Sequence, residues 1–270
     1  YFNANQANAF IWDNTASNGV VNNGSGTWNT TNLTWLKSPT GANQIWVGGS
    51  SATFGGNPGT GAAGTVSVSG TQNVKNLIFD ATPSGNFTIQ NGTLNLQGGL
   101  WGVNQNATIS SILQGSANYI KKGNANLTLT GNNSYSGLLT ISQGGIYVGA
   151  SNALGTSSVI MGDASTGTSN TEWRWAGSTT PSTDIVVSGF GTGTVTIGAY
   201  SAGFNTQHSG NIDLGKDVIF FDASNDRSSF EGIISGAVTN ITINGNGTYN
   251  ISIGQGARVT FDNNANSFTA

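Results

Sequence analysis

The chain of 270 residues has no cysteine. No disulfide holds it, and no thiolate is available as a nucleophile or metal ligand. A small secreted domain would need such staples, but a chain of this length buries enough apolar surface without them, so secretion is not excluded. Charge is nearly as scarce. Asp, Glu, Lys and Arg make up 7% of residues and the formal net charge is −3, which leaves no basic face for a nucleic acid. The single histidine cannot build a histidine zinc cluster. Four prolines are too few for a Pro-rich linker. No run of 18 apolar residues occurs, so no transmembrane helix is expected.

What remains is glycine, small polar residues and strand formers. There are 41 Gly, 12 Phe and 7 Trp, and Thr, Ser and Asn fill most polar positions. Alternation is clear in "TVSVS" (65–69), "NFTIQ" (86–90), "TLNLQ" (93–97) and "NLTLT" (126–130). It returns in "TVTIG" (194–198), "NITIN" (240–244), "YNISIG" (249–254) and "RVTFD" (258–262). Each pattern predicts a half-buried strand. The separators are Gly/Asn corners that tolerate positive φ. No window keeps a helical period, and "GASNALG" (149–155) predicts a single turn at most. The chain is all-β.

Two all-β architectures fit these signals. Asn91–Gly92 and Asn246–Gly247 suit two-residue hairpins of an antiparallel sandwich, and equally the corners of a parallel solenoid. Internal similarity favours the solenoid. "IFDATPSGNFTI" (78–89) is echoed in "FFDASNDRSSFEG" (220–232) and "FDNNANSFTA" (261–270), and repeated corner chemistry without a strict period suits stacked coils.

The stretch "NLTLTGNNSYSGLLTISQGGIYVGASNALGTSSV" (126–159) resembles the autotransporter-associated β-strand repeat of bacterial passenger domains. The carrying residues are Leu127, Leu129, Gly131–Asn132–Asn133, Tyr135, Gly137, Thr140–Ile141, Gly144 and Ala153–Leu154–Gly155, preceded by Lys122–Gly123. Weaker copies extend over residues 60 to 270. The Trp-rich opening (Trp12–Asp13, Trp28–Asn29, Trp35, Trp46) resembles the leader of large secreted proteins with such repeats. The resemblance implies a right-handed parallel β-helix displayed outside a Gram-negative cell, in a structural, adhesive or biofilm-matrix role. We expect residues 1–60 to form an aromatic N-terminal cap and residues 61–270 one continuous solenoid. Tyr1 stands where a Met would open an unprocessed chain, which suggests a removed signal peptide or a fragment.

At about 20–25 residues per rung, the chain would make roughly 10–13 rungs spaced about 4.8 Å apart. Like residues stack between rungs, so charges would repel and neutral Thr, Ser and Asn should cover the outside. Scarce charge does little to keep molecules apart. An open end rung invites pairing, and a head-to-tail contact propagates into a filament. The leading functional expectation is therefore a secreted structural protein that self-associates end to end. Phe261, Asn263, Asn264, Asn266 and Phe268 would meet Tyr1 and Phe2 of the next copy. The alternative is a monomeric surface adhesin or passenger fragment that binds glycans, with Trp28 and Trp35 as stacking faces.

A β-helix enzyme acting on polysaccharide ranks third, and catalysis is not expected. Asp213, Asp217, Asp222, Asp226 and Arg227 cluster near His208 in sequence, but Asp217 and Asp222 have opposite strand parity and would not share a face. No pair of carboxylates has the spacing that glycoside hydrolysis needs. His208 is expected in a loop, and Asp222, Asn225, Asp226 and Glu231 only loosely resemble a calcium loop. "GFGTG" (189–193) lacks the helix that a phosphate loop requires. No cofactor is expected.

Overall fold

The computed structural model describes residues 9–261 apart from 16–17, 19, 38–40, 57–58, 202–205, 224–226, 237, 239, 246–247 and 254–258. Of 227–228, 248–253 and 259–261 it describes the backbone alone. All the regular elements among these residues are strands. They stack into a parallel β-solenoid with two long sheets, one of 16 strands and one of 11. Every pairing in the second sheet is parallel. Hairpins are thereby excluded as the organising unit, and Asn91, the non-glycine residue with positive φ (60°) among the described ones, turns a corner beside Gly92.

The register shows how the rungs stack. In the second sheet Phe87, Ala107, Leu127, Ile146, Trp173, Ile197, Phe220 and Ile243 lie successively above one another. All are buried, so the alternation seen in sequence is one apolar column in space. The first sheet has its own column: Ala52, Leu77, Trp101, Lys121, Ile141, Met161, Val187 and Leu214. The outside is divided in character. Thr65, Thr88, Thr108 and Thr128 form the neutral ladder expected of stacked like residues. On the first sheet the outward column is instead Leu100, Ile120, Thr140, Ile160 and Val186, with Ile120 39% and Val186 42% exposed.

A third side closes each rung, and the 126–159 stretch shows how. Leu127 and Leu129 point inward, and the chain then turns at Gly131. Asn133 is buried there, accepting from the Leu113 N–H at 2.7 Å and donating through Nδ2 to the Ala153 carbonyl at 2.6 Å. One amide thus ties three consecutive rungs. Tyr135 is fully buried and donates to the Ala117 carbonyl at 2.8 Å. On the next rung Ala153 and Leu154 fill the same side, and Gly155 (φ +59°) passes so close that a Cβ would lie 2.3 Å from the Tyr135 carbonyl. "GASNALG" is turn and bend throughout.

The Trp-rich opening both joins the solenoid and covers it. Ala9–Trp12 pairs parallel with Ser50–Phe54, and Gly26–Trp28 with Thr65–Val68. Trp35–Leu36 then adds antiparallel to Ala9–Trp12, and Asn43–Gln44 antiparallel to that. Beneath these strands Trp12, Trp28, Trp35, Trp46 and Phe54 meet ring to ring, with centroids 4.7 Å apart for Trp35–Trp46 and 4.8 Å for Trp28–Trp46. The stacking role expected of Trp28 and Trp35 needs correction. Both rings are 0% exposed, so neither offers a face to a sugar. Their size is spent on filling the first rung.

Two substitutions test this packing. Asn133→Ala should lower stability by about 2 kcal/mol by orphaning a buried N–H and a buried carbonyl, while exposed Asn132→Ala should not; thermal unfolding compares them. Trp28→Ala should cost about 3–5 kcal/mol through cavity formation. Trp28→Phe should cost far less, because the Trp28 indole N–H has no hydrogen bond to lose among the described residues. A Trp28→Ala protein as stable as the parent would refute the packing role.

Candidate functional site

The acidic cluster near His208 does not converge. Asp217 is exposed and accepts from Asn240 through its N–H at 2.8 Å and its Nδ2 at 3.1 Å. Asp222, at the far end of the strand Val218–Asp222 that Asp217 immediately precedes, is buried with the opposite parity. Asp213 accepts from the Ser235 hydroxyl and Glu231 from Gln207. Asn225 and Asp226 lie outside the described residues, as does the Arg227 side chain. Among the described residues no three of His, Cys, Asp and Glu are grouped to hold a metal. Tyr1, Phe2, Asn263, Asn264, Asn266 and Phe268, expected at an assembly joint, also lie outside them. Phe261 ends the strand Val259–Phe261, which pairs with Ile241–Gly245.

His208 is not a loop residue. It ends the strand Thr206–His208, is fully buried, and packs against Trp175 at 5.3 Å and Phe230 at 6.3 Å. Burial lowers its pKa to about 4, with the Gly210 backbone and Asp184 pulling partly the other way.

A distinct concave site lies on the edge that leads into the second sheet. Asn126, Gly145 and Glu172 are register partners on three successive rungs. Side chains project at Asn126 and Glu172, but at Gly145 the outward column is interrupted. Nineteen residues separate Leu129 from its partner Val148, whereas 27 separate Val148 from Trp175. Part of that excess forms the loop 162–170, which contains no strand residue and is joined at its start to the rung below by the Gly162 N–H donating to the Ile141 carbonyl at 2.9 Å. Asp163 holds the loop, accepting from the Ser165 N–H at 2.8 Å and the Ser142 hydroxyl at 2.5 Å. Burial would raise its pKa, but these hydrogen bonds outweigh it and the carboxyl sits below its ordinary value. The Gly144 N–H donates to the Asn170 carbonyl at 2.8 Å, pinning the loop to the floor.

The result is a cleft of about 330 Å³. Asn124, Asn126 and Gly144 line one side, and Thr168, Ser169, Asn170 and Glu172 the other. Below the floor lies Lys121, inward and 0% exposed. Its Nζ donates to the carbonyls of Gly123 at 2.6 Å, Ala125 at 2.5 Å and Gln143 at 2.7 Å. Burial lowers its pKa to about 7 while Glu172 raises it; protonated, it places one N–H on each carbonyl.

Tyr147 lies beside the cleft, behind Glu172. Its ring covers Gly145, so that a Cβ there would sit 2.8 Å from the ring. The hydroxyl donates to Glu172 at 2.5 Å, and burial followed by Glu172 pushes its pKa up to about 12. Tyr200 stacks on it at 4.9 Å. Glu172 also pairs with Arg174 at 3.7 Å, and that guanidinium lies 4.4 Å over Phe221 and donates to the carbonyls of Gly198 and Ala199. Farther along the same edge a hollow of about 490 Å³ is lined by residues that include Lys216, Asp217 and Asn240. Lys216 is spent on the carbonyls of Gly191 and Gly193, and Asp217 on Asn240.

Sequence reasoning singles out neither Lys121 nor this cleft. The available signals are the shared parity of Lys121 with Tyr119, and the Gly144–Gly145 pair followed by an over-long rung.

The chain is 29% identical over 233 residues, 83% of its length, to the Adhesin BmaC autotransporter of Brucella suis biovar 1 (strain 1330). The match spans about 6% of that protein. No protein-family profile matches the chain, and no solved structure does. The resemblance to autotransporter passengers is thus met twice, by a similar adhesin and by a parallel β-solenoid. Among the described residues no helix is long and apolar enough to cross a membrane.

The buried imidazole makes stability depend on pH. The unfolded chain binds a proton near pH 6.5 and the folded one only near pH 4. Stability should therefore be complete above pH 6.5 and fall by about 3 kcal/mol as pH drops to 4. Denaturant unfolding across this range should show the loss, and His208→Phe should flatten it; an unchanged slope would rule the imidazole out.

Proposed function

We propose that this chain is a rigid, surface-displayed segment of an adhesin of the autotransporter type, on a Gram-negative cell. The observation that carries the reading is the unbroken parallel ladder of 11 strands in a chain similar to an autotransporter adhesin. Such a ladder holds surface groups at fixed spacing, and each rung is tied to both neighbours by backbone hydrogen bonds. The role is binding and display rather than catalysis. Glu172 is the one carboxylate lining the cleft, whereas glycoside hydrolysis uses two.

A second reading is self-association into an end-to-end fibre, with extracellular matrix as its product. Its support is the scarcity of repelling charge and the half-exposed Ile120 and Val186. Against an end-to-end joint stand the antiparallel strands Trp35–Leu36 and Asn43–Gln44, which occupy the edge of the first sheet.

An antibody to the purified chain should label intact producing cells, and the purified chain should reduce their adherence to host cells. Labelling only after permeabilisation would overturn the display reading. Negative-stain electron microscopy at micromolar concentration separates the second reading: isolated rods are expected, and uniform filaments would establish the fibre.

A further inference from the structure

We infer that the cleft between Asn126 and the loop 162–170 binds a neutral saccharide of one or two units. The inference deepens the adhesin reading and rests on it. Four features of the cleft carry it.

The first is shape. The gap between the rungs of Asn126 and Glu172 spans two ladder steps, roughly 9–10 Å. Its floor is backbone already fixed by the ladder and by the three carbonyls gathered on Lys121, so little ordering entropy is lost on binding. A Cβ at Gly144 would lie 2.5 Å from the Lys121 Nζ, and one at Gly145 2.6 Å from the Asn126 Oδ1, so both glycines serve the close packing of the floor. The hollow itself is shaped by the loop that Asp163 holds beside that floor.

The second is unspent hydrogen bonding. Asn124 and Thr168 are exposed at the rim, and neither commits its side chain to a hydrogen bond among the described residues. Asn170 uses its Oδ1 to accept from the Thr194 N–H at 2.9 Å, which fixes the amide and leaves its Nδ2 directed elsewhere. An amide presents donor and acceptor together, and a hydroxyl does the same. That is the complement of a sugar's hydroxyl groups, each of which also donates and accepts.

The third is a fixed wall. Glu172, which lines the cleft, accepts from the Tyr147 hydroxyl and pairs with Arg174, and Tyr147 is stacked in turn on Tyr200. That wall is ordered before a ligand arrives, so binding costs little side-chain entropy.

The fourth is charge. Glu172 is the charged group lining the cleft, and the Lys121 cation below is consumed by carbonyls. Arg174 already pairs with Glu172 and does not line the cleft, so an acidic sugar would meet a carboxylate and no cation among the lining residues, and neutral saccharides are selected.

The test is a printed array of neutral, sialylated and sulfated oligosaccharides, probed with the full 270-residue chain, followed by calorimetry on the best neutral glycan. Thr168→Trp fills the mouth from an exposed position and should weaken binding tenfold or more. Asn124→Ala should weaken it severalfold, and Thr71→Trp, on a distant rung, should leave it unchanged. All three should melt with the parent protein. The proposal is overturned if no neutral glycan binds, if only acidic glycans bind, or if Thr168→Trp binds like the parent. Because the array uses purified protein, its failure with intact cells still labelled removes the saccharide site alone. A positive array with unlabelled cells removes the display reading instead.

Discussion

Each rung of this protein hydrogen-bonds to the rung before and after it, in parallel and in register. A residue's neighbours are therefore the residues about one coil away in sequence rather than those beside it. Leu127 lies between Ala107 and Ile146, and Thr108 between Thr88 and Thr128. Inward positions must be apolar over the whole length of the column, and outward ones are best left uncharged where like would face like. The composition follows from that constraint. So does the treatment of the exception: Lys121 occupies an inward position only because three carbonyls converge at the corner where its chain reaches.

A regular ladder also dictates how a site can be made. Projecting side chains give a continuous wall, so a concavity needs a neighbouring coil that departs from the common length. The loop 162–170 supplies it. It does not disturb the hydrogen-bonded strands, because Gly144–Val148 and Thr171–Trp175 keep all five register pairs. The Gly144 N–H and the Asp163 carboxylate hold the loop where it falls. Recognition is thereby separated from stability: the strands carry the fold and the corner carries the chemistry.

The opening of the chain meets a different demand. A parallel sheet has an edge of unpaired N–H and carbonyl groups, and here two antiparallel strands lie against it over a cluster of tryptophans. Reversal of direction matters. An antiparallel strand pairs with the edge yet does not extend the parallel pattern to a further rung. Tryptophan suits the place because the rings of Trp12, Trp28, Trp35 and Trp46 fill the volume between the antiparallel strands and the first parallel rungs.

Much of this was legible in the sequence. Period-2 alternation in "NLTLT" and "TVTIG" set strand and parity, and the opposite faces of Asp217 and Asp222 followed from parity alone. The corner "GNNSYSG" carried its own chemistry, which the Asn133 and Tyr135 hydrogen bonds express. What the sequence could not state was which rung lies on which. The burial of Trp28 and Trp35, the packing of His208 against Trp175 and Phe230, and the carbonyls around Lys121 all depend on residues brought together by stacking. The cleft is the clearest case. Asn126 and Glu172 line it together only because both stand in register with Gly145, 19 positions before it and 27 after. Local pattern determines which way a side chain points; coil length, summed over every rung, determines what it meets.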